Sequence, residues 1–371
     1  MSNKAVADAV NGLEAKINAL GLGSSSPGFS VGVIYDQSLF FAAGFGCADI
    51  EKAIAATPDT IYHIESLTKV FDATMMMQLR DLGKFALTDQ VNQYVPEAYY
   101  LEYSLDPIPS LEPVSPTFLE LSSHTAGLPD QMFVGLSSAA EFFAKLQTEL
   151  VAPQPWPYSY SDIGFVTLGQ SDAIIAAQSW PGQTYHTWVE NNIFTPLRMT
   201  KSVFGNTYAD QSLLAMPYHR KKGSTGPFHA APDNGYADGF PPAGSIYTNV
   251  WDMAQFIMLQ FRTGPVGGDQ ILASSSIQEM FVPVAPTQGH GSVGIGWFIA
   301  PFGKYTVISK NGGDAWWSSL ARMIPELKLG VVAFGNAGFT GQALPKLEAA
   351  IFSSMIPALA TAEKEGKGLN P

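Results

Sequence analysis

Apolar residues fall at Val6, Val10, Leu13, Ile17 and Leu20, the spacing of one helical face, so the chain is predicted to open with a docking helix. A GSSSPG loop follows. The runs GFSVGVIY (28–35) and SLFFAAGFG (38–46) then flank Asp36-Gln37 as two strands of a hairpin would. From Ser66 to about Leu82 the pattern reads as a helix that is apolar nearly all round and therefore buried, with Gly83 as its stop. Residues 100–157 are rich in Pro and Ser, with a short helical patch near Ala139–Leu150. Residues 162–178 and 184–195 look helical, and 205–245 looks dominated by loops. From Gly291 the texture returns to strands: GIGWFIAP, KYTVISK, WSSLARMI and LGVVAFGN, with turn signals between them. A last helix is placed at about 341–358, and the polar tail 361–371 is expected to be disordered. The pattern predicts an α+β fold: an antiparallel sheet built from both ends of the chain and flanked by terminal helices, with a mostly helical domain inserted. The boundaries drawn are 1–60 plus 245–360 for the sheet domain and 61–244 for the inserted one.

Composition narrows what such a fold could do. Charged residues are only 14% of the 371, against roughly 25% in average proteins, which suggests much buried surface and a homo-oligomer. A net charge of −12 with no basic stripe excludes nucleic acid as a partner and disfavours an anionic membrane surface. Cys47 is the single cysteine, so no intrachain disulfide forms, and it reads as a small core residue. The six histidines are scattered, with no HExxH or CxxC spacing. Neither a metal nor another cofactor is expected. The first residues lack an apolar signal region, and no stretch is long enough to span a bilayer, so a cytoplasmic protein is expected.

Three short motifs carry chemistry. Ser66-Leu67-Thr68-Lys69 places a hydroxyl and an amine three residues apart, on one helical face. A serine needs an adjacent base, and a lysine inside an apolar helix is poised to lose charge by desolvation. The plain alternative is a capping serine beside a solvated lysine. Tyr158-Ser159-Tyr160-Ser161-Asp162 precedes the helical run IGFVTLGQ, where Tyr160 could equally be a core residue. Lys310-Asn311-Gly312-Gly313 ends a strand-like run, where Asn311-Gly312 could equally be a hairpin turn.

Together the motifs resemble those of the serine β-lactamase and penicillin-binding-protein superfamily, in its class C-like and esterase branch. The resemblance extends over nearly the whole chain: IYHIESLTKVFDATMMMQLRDLGKFALTDQVNQYVPE, LELSSHTAGLP, FTPLRMTKSVFG, PPAGSIYTNVWDMAQF, GIGWF and the Lys310 strand follow in the family's order. It implies a β-lactamase/transpeptidase-like fold and an acyl-serine intermediate. Ser66 would be the nucleophile, Lys69 its proton partner and Tyr160 the general base. Lys310 would hold the tyrosine's charge, Gly312 would leave room on the strand, and the oxyanion hole would be the backbone N–H groups of Ser66 and Gly313. Asn311 would belong to the substrate-binding strand, and His124, in the HTAGLP turn, would be structural. The related class A set, with its S-D-N motif, offers a second register in which Ser161 shuttles the proton. Ile163 cannot supply the amide which that register requires.

Two departures from the family pattern bear on the substrate. Asp162 stands where Asn is usual; a carboxylate can accept from Lys69 but cannot donate to an amide carbonyl, and it should keep Lys69 protonated. Trp316 and Trp317 stand where small residues are usual, either narrowing the acyl pocket or, for at least one of them, packing into the core. The reading these support is a serine esterase or acyltransferase acting on a small-molecule ester, lactone or other acyl donor. The alternatives are a class C-like β-lactamase or D,D-peptidase, and a non-catalytic binding or structural homologue.

Overall fold

The structure, a computed structural model, describes residues 3–97, 100, 115–130, 141–143, 158–205, 209–221, 224, 226–231, 241–289, 291–338 and 343–364. The helical patch foreseen near Ala139–Leu150 lies outside these residues except for 141–143, which are helical.

One nine-stranded antiparallel sheet organises the molecule. The amino-terminal part supplies β1 (Gly28–Tyr35), β2 (Ser38–Asp49) and β3 (Ile54–Ala55). A small three-stranded sheet combines β4 (Tyr62–His63), β5 (Val203–Phe204) and a later strand β8 (Ile246–Thr248), and β6 (Tyr218–His219) pairs with β7 (His229–Ala230). The remaining strands of the large sheet are β9 (Ala285–Pro286), β10 (Ser292–Val293), β11 (Phe298–Phe302), β12 (Tyr305–Gly313), β13 (Ser318–Ile324) and β14 (Leu329–Gly335). The order is β3-β2-β1-β14-β13-β12-β11-β10-β9, so the two ends of the chain meet where β1 pairs with β14.

Strand β1 is buried on both faces, and its alternation shows why. Phe29, Val31 and Val33 join the core under the terminal helices, whereas Ile34 joins the larger core on the other side. The hairpin turn falls at Asp36-Gln37 as foreseen, with Asp36 in the left-handed region at φ 49°. The terminal layer is α1 (Lys4–Asn11), α2 (Leu13–Asn18) and the last helix, Ala343–Lys364. The expected single opening helix is divided at Gly12, yet Val6, Val10, Leu13 and Ile17 are all buried. The last helix runs to Lys364 rather than 358 and takes in Thr361–Lys364 of the anticipated tail; 365–371 lie outside the described residues. Cys47, expected in the core, is only half-buried on β2. Among the described residues, no helix is long and apolar enough to cross a membrane, and no cluster of His, Cys, Asp or Glu could hold a metal ion.

The opposite face of the sheet carries the helical lobe, whose centre is α3 (Lys69–Asp81), buried from Lys69 to Leu79. Beside it lie α4 (Phe118–Ser122), α5 (Asp162–Ser179), α6 (Tyr185–Val189), the single turn α7 (Pro241–Gly244) and α8 (Val250–Leu259). Between α3, α5 and α6 sit two carboxyls and a phenol, those of Asp72, Asp172 and Tyr185. All three are buried, and none of their oxygens has a hydrogen-bond partner. Burial holds both carboxyls well above the usual range, and for Asp72 the neighbouring Asp172 adds to it. A carboxyl with a raised folded-state pKa takes up a proton on folding, so its cost is absent below about pH 4 and grows as pH rises through the folded value. Asp172→Asn is expected to raise Tm at pH 7 by roughly 2–5 °C, and by less at pH 4.5, because it removes the cost of protonating or burying this carboxyl and adds a donor for Asp72. Thermal denaturation at the two pH values checks this; equal loss of Tm at both would show that the pair stabilises the fold.

Candidate active site

The site is built on a turn that reverses the chain just before Ser66. Ile64 leaves β4 near φ −99°, and Glu65 then adopts a left-handed conformation at φ 53°. A short 3₁₀ turn spans Glu65–Thr68, and the α-helix proper begins only at Lys69. The continuous helix expected from Ser66 is thus replaced at its first turn by a tighter one. Its far end is as foreseen, with Gly83 left-handed at φ 70° just past the Leu82 cap.

Lys69 is completely buried. Its ammonium donates to Ser66 Oγ at 2.9 Å and to the Ala243 carbonyl at 2.7 Å, and it forms an ion pair with Asp162 Oδ1 at 2.5 Å. Burial alone would strip the charge, but Tyr160 and Asp162 outweigh it and hold the lysine above its ordinary value. The apolar helix alone would favour a desolvated, weakly basic lysine, but the counter-charges prevail, and Lys69 stays protonated as the carboxylate at position 162 led us to expect.

Tyr160 comes from the loop that leads into α5. His124, itself left-handed at φ 56°, shapes that loop: its carbonyl accepts from Ser159 N at 2.8 Å, its Nδ1 accepts from Ser161 N at 3.1 Å, and its ring lies 4.3 Å from that of Tyr160. Burial, with the charges of Lys310 and Lys69, keeps the imidazole well below its usual pKa, so the ring stays an acceptor. The hydroxyl of Ser161 is occupied, accepting from Gly164 N at 2.9 Å as the cap of α5 and donating to the Pro129 carbonyl at 2.8 Å. That geometry counts against Ser161 as a proton shuttle.

Lys310, on β12, is also buried, with Nζ 3.5 Å from Tyr160 Oη and 4.7 Å from the ring centre. Burial pulls it below its ordinary value, against the attraction of Tyr160. Burial would raise Tyr160, but Lys310 and Lys69 together bring the phenol below its usual pKa, aided by a hydrogen bond from Ser66.

These groups meet at a cavity of about 650 Å³ lined by Ser66, Tyr160, Asp162, Lys310 and the strand to Gly313. Strand β11 pairs with β12 only as far as Ser309, while Lys310–Gly313 pair with β13 alone. The last four residues of β12 therefore present a free backbone edge beside Ser66, suited to an added extended group. Asn311-Gly312 is strand, not turn. The space at Gly312 is already filled: a Cβ would lie 2.2 Å from the Ile64 carbonyl and 2.8 Å from Glu65 Cβ. The expected room at Gly312 is absent; the glycine instead lets the strand close onto the Ser66 turn. Asn311 lies on the cavity wall, its Oδ1 accepting from Arg322 Nη1 at 2.7 Å.

The tryptophan pair divides. Trp317 is buried edge-on against Tyr62, His63 and Tyr247, forming wall rather than an open stacking platform. Trp316 is half-buried against the large core and is not among the cavity-lining residues. The cause is Asp314, whose Oδ1 accepts from both their backbone N–H groups at 2.6 and 2.7 Å and curls the chain between β12 and β13. Burial and the nearby Glu65 push Asp314 up to about 6. Asp130 and Arg322 also line the cavity and were not singled out from sequence. Asp130 carried a weak signal in the turn after HTAGLP, and Arg322 carried none.

Known proteins give this geometry a setting. The family model described as Beta-lactamase matches residues 11–354. The chain is 27% identical over 275 residues to Beta-lactamase-like protein 2 of Dictyostelium discoideum, covering 69% of this chain and 46% of that one. It is 24% identical over 328 residues to Protein flp of Staphylococcus aureus, covering 86% and 61%. It thus spans about half to two thirds of the length of these relatives. The octameric penicillin-binding protein homologue from Pyrococcus abyssi superposes with a TM-score of 0.75 at 24% identity, over 97% of this chain and 78% of that one. A class C β-lactamase from Rhodobacter sphaeroides gives 0.75 at 19%, over 93% and 99%. The family match over most of the chain, with the shared sheet-and-helix fold, shows that the chain belongs to the Beta-lactamase family of serine β-lactamases and penicillin-binding-protein homologues.

Proposed function

We propose that the protein is a serine esterase or acyltransferase working through an acyl intermediate on Ser66. The observation that carries the reading is the ion pair of the buried Lys69 with Asp162, 2.5 Å apart. An ammonium whose charge is held by Tyr160 and Asp162 cannot also take the serine proton. The acceptor left is Tyr160, made acidic by two lysines and hydrogen-bonded to Ser66. Ser66 Oγ attacks the acyl carbon while its proton passes to the Tyr160 phenolate. The oxyanion would be met by the backbone N–H groups of Ser66 and Gly313, donors of a kind that contribute a few kcal/mol. Collapse breaks the acyl C–O bond, and Tyr160 returns the proton to the leaving alkoxide. Water or an alcohol then repeats the sequence in reverse, completing hydrolysis or acyl transfer.

Asp162 favours esters and lactones over amides, because no donor stands there for an amide carbonyl. A class C-like β-lactamase or D,D-peptidase is the second reading, supported by the shared fold. Sparse surface charge and the octameric neighbour both support a homo-oligomer.

Intact mass after brief exposure to an activated short-chain ester, with Ser66→Ala as control, tests the proposal. An acyl adduct or turnover on wild type alone is the expected result. Faster turnover of a chromogenic cephalosporin than of short esters would favour the second reading. An inert Ser66 toward every ester and phosphonate would leave a protein that binds without reacting.

A further inference from the structure

The residue before the nucleophile is the least comfortable in the site. Glu65 holds a left-handed backbone at φ 53° that suits glycine, and its side chain is 6% exposed. A non-glycine residue in this region costs of order 1 kcal/mol and persists where its surroundings dictate it. The surroundings here are specific. Glu65 Oε1 lies 3.0 Å from His63 Nδ1, across Ile64. The other ring nitrogen, Nε2, meets the Gly244 carbonyl. The ring thus bridges the Glu65 carboxyl and the Gly244 carbonyl, and it is stacked on Tyr247 with 4.5 Å between ring centres.

This contact joins the two supports of the site. Gly244 follows Ala243, whose carbonyl holds Lys69 Nζ at 2.7 Å. Ile64, between the paired residues, accepts from Ser319 Oγ at 2.6 Å and abuts Gly312 on the edge strand. The α7 turn, the Ser66 turn and the β12–β13 strands therefore converge on His63 and Glu65.

We propose that Glu65 is a positioning residue: paired with His63, it locks the strained turn so that the Ser66 hydroxyl and N–H stand in register with Lys69 and Gly313. The inference rests on the acyl-serine reading. It assigns Glu65 no contact with substrate, only the placement of the group that makes one. Small misplacements of a reacting group are costly, about 100-fold in rate for 1 Å.

The test is Glu65→Gly, which suits the left-handed backbone and removes the contact with His63. Were Glu65 a merely structural residue, this variant would keep wild-type kcat. The expected result is a kcat for ester turnover lower by about tenfold or more with KM within about twofold, because binding to the free edge is untouched. Glu65→Gln, which keeps the shape without the charge, should lose less. Wild-type kcat in a folded Glu65→Gly overturns the proposal; if that variant does not fold, wild-type kcat in Glu65→Gln does so. A wild-type enzyme that turns over no ester defeats the acyl-serine reading instead, a result seen before any variant is compared.

Discussion

Tyr160→Phe is expected to lower kcat for ester turnover by roughly 10²–10⁴-fold, the range associated with losing a general acid–base group. The fold should survive, since the ring still packs against His124 and only one hydroxyl is removed. The effect is large because no neighbour can take over. Lys69 is held protonated by Tyr160 and Asp162, and the Ser161 hydroxyl is committed to Gly164 and Pro129. The wild-type rate should rise with pH as Tyr160 ionises, below the ordinary phenol range because Lys310 and Lys69 stabilise the anion. The variant should lack that limb. Steady-state rates and the pH profile check both parts; an unchanged rate would move the base role to Lys69.

Asp162→Asn should change which substrates are accepted. The present carboxylate is the closest counter-charge to Lys69, at 2.5 Å. An amide in its place could still accept from the lysine and would also donate to a substrate amide carbonyl. One recovered hydrogen bond is worth about 0.5–1.5 kcal/mol, so the ratio of amide to ester kcat/KM should rise by about three- to tenfold. Removing the anion also lowers the pKa of Lys69, so the ammonium persists over a narrower range and the alkaline limb should move to lower pH. Paired ester and anilide assays across pH measure both effects. An unchanged ratio with an unchanged profile would remove the role assigned to this residue.

Much of this site was legible before any coordinates, because its parts lie in local patterns. Ser66 and Lys69 are three residues apart, Tyr160 stands just ahead of a helix whose cap is its neighbour Ser161, and Lys310 ends an alternating strand. The two-layered burial of the sheet was likewise carried by runs such as LGVVAFGN, apolar on both faces. The features missed depend on distant partners. Nothing near Gly312 announces that the Ile64 carbonyl occupies the space beside it, and His63 meets a carbonyl 181 residues away. Trp316 and Trp317 could not be told apart because the Asp314 turn, not strand alternation, sets which of them faces inward. The charge of Lys69, a contest between burial and counter-charges, was foreseen from Asp162, whereas the share of Tyr160 in it shows only in the fold.

The seam between β1 and β14 also imposes a schedule. Phe29 pairs with Gly335, about 300 residues later, so the sheet cannot close until nearly the whole described chain is available. Contacts of such long range form slowly, and domains acquire structure as they emerge from synthesis. The segments bearing Ser66, Lys69 and Tyr160 are made long before the strand that abuts the Ser66 turn. A nascent chain stopped short of Gly313 would carry Ser66, Lys69 and Tyr160, yet lack Lys310 or the complete edge onto which Ser66 is aligned. The site would thus be completed only when the fold is nearly finished.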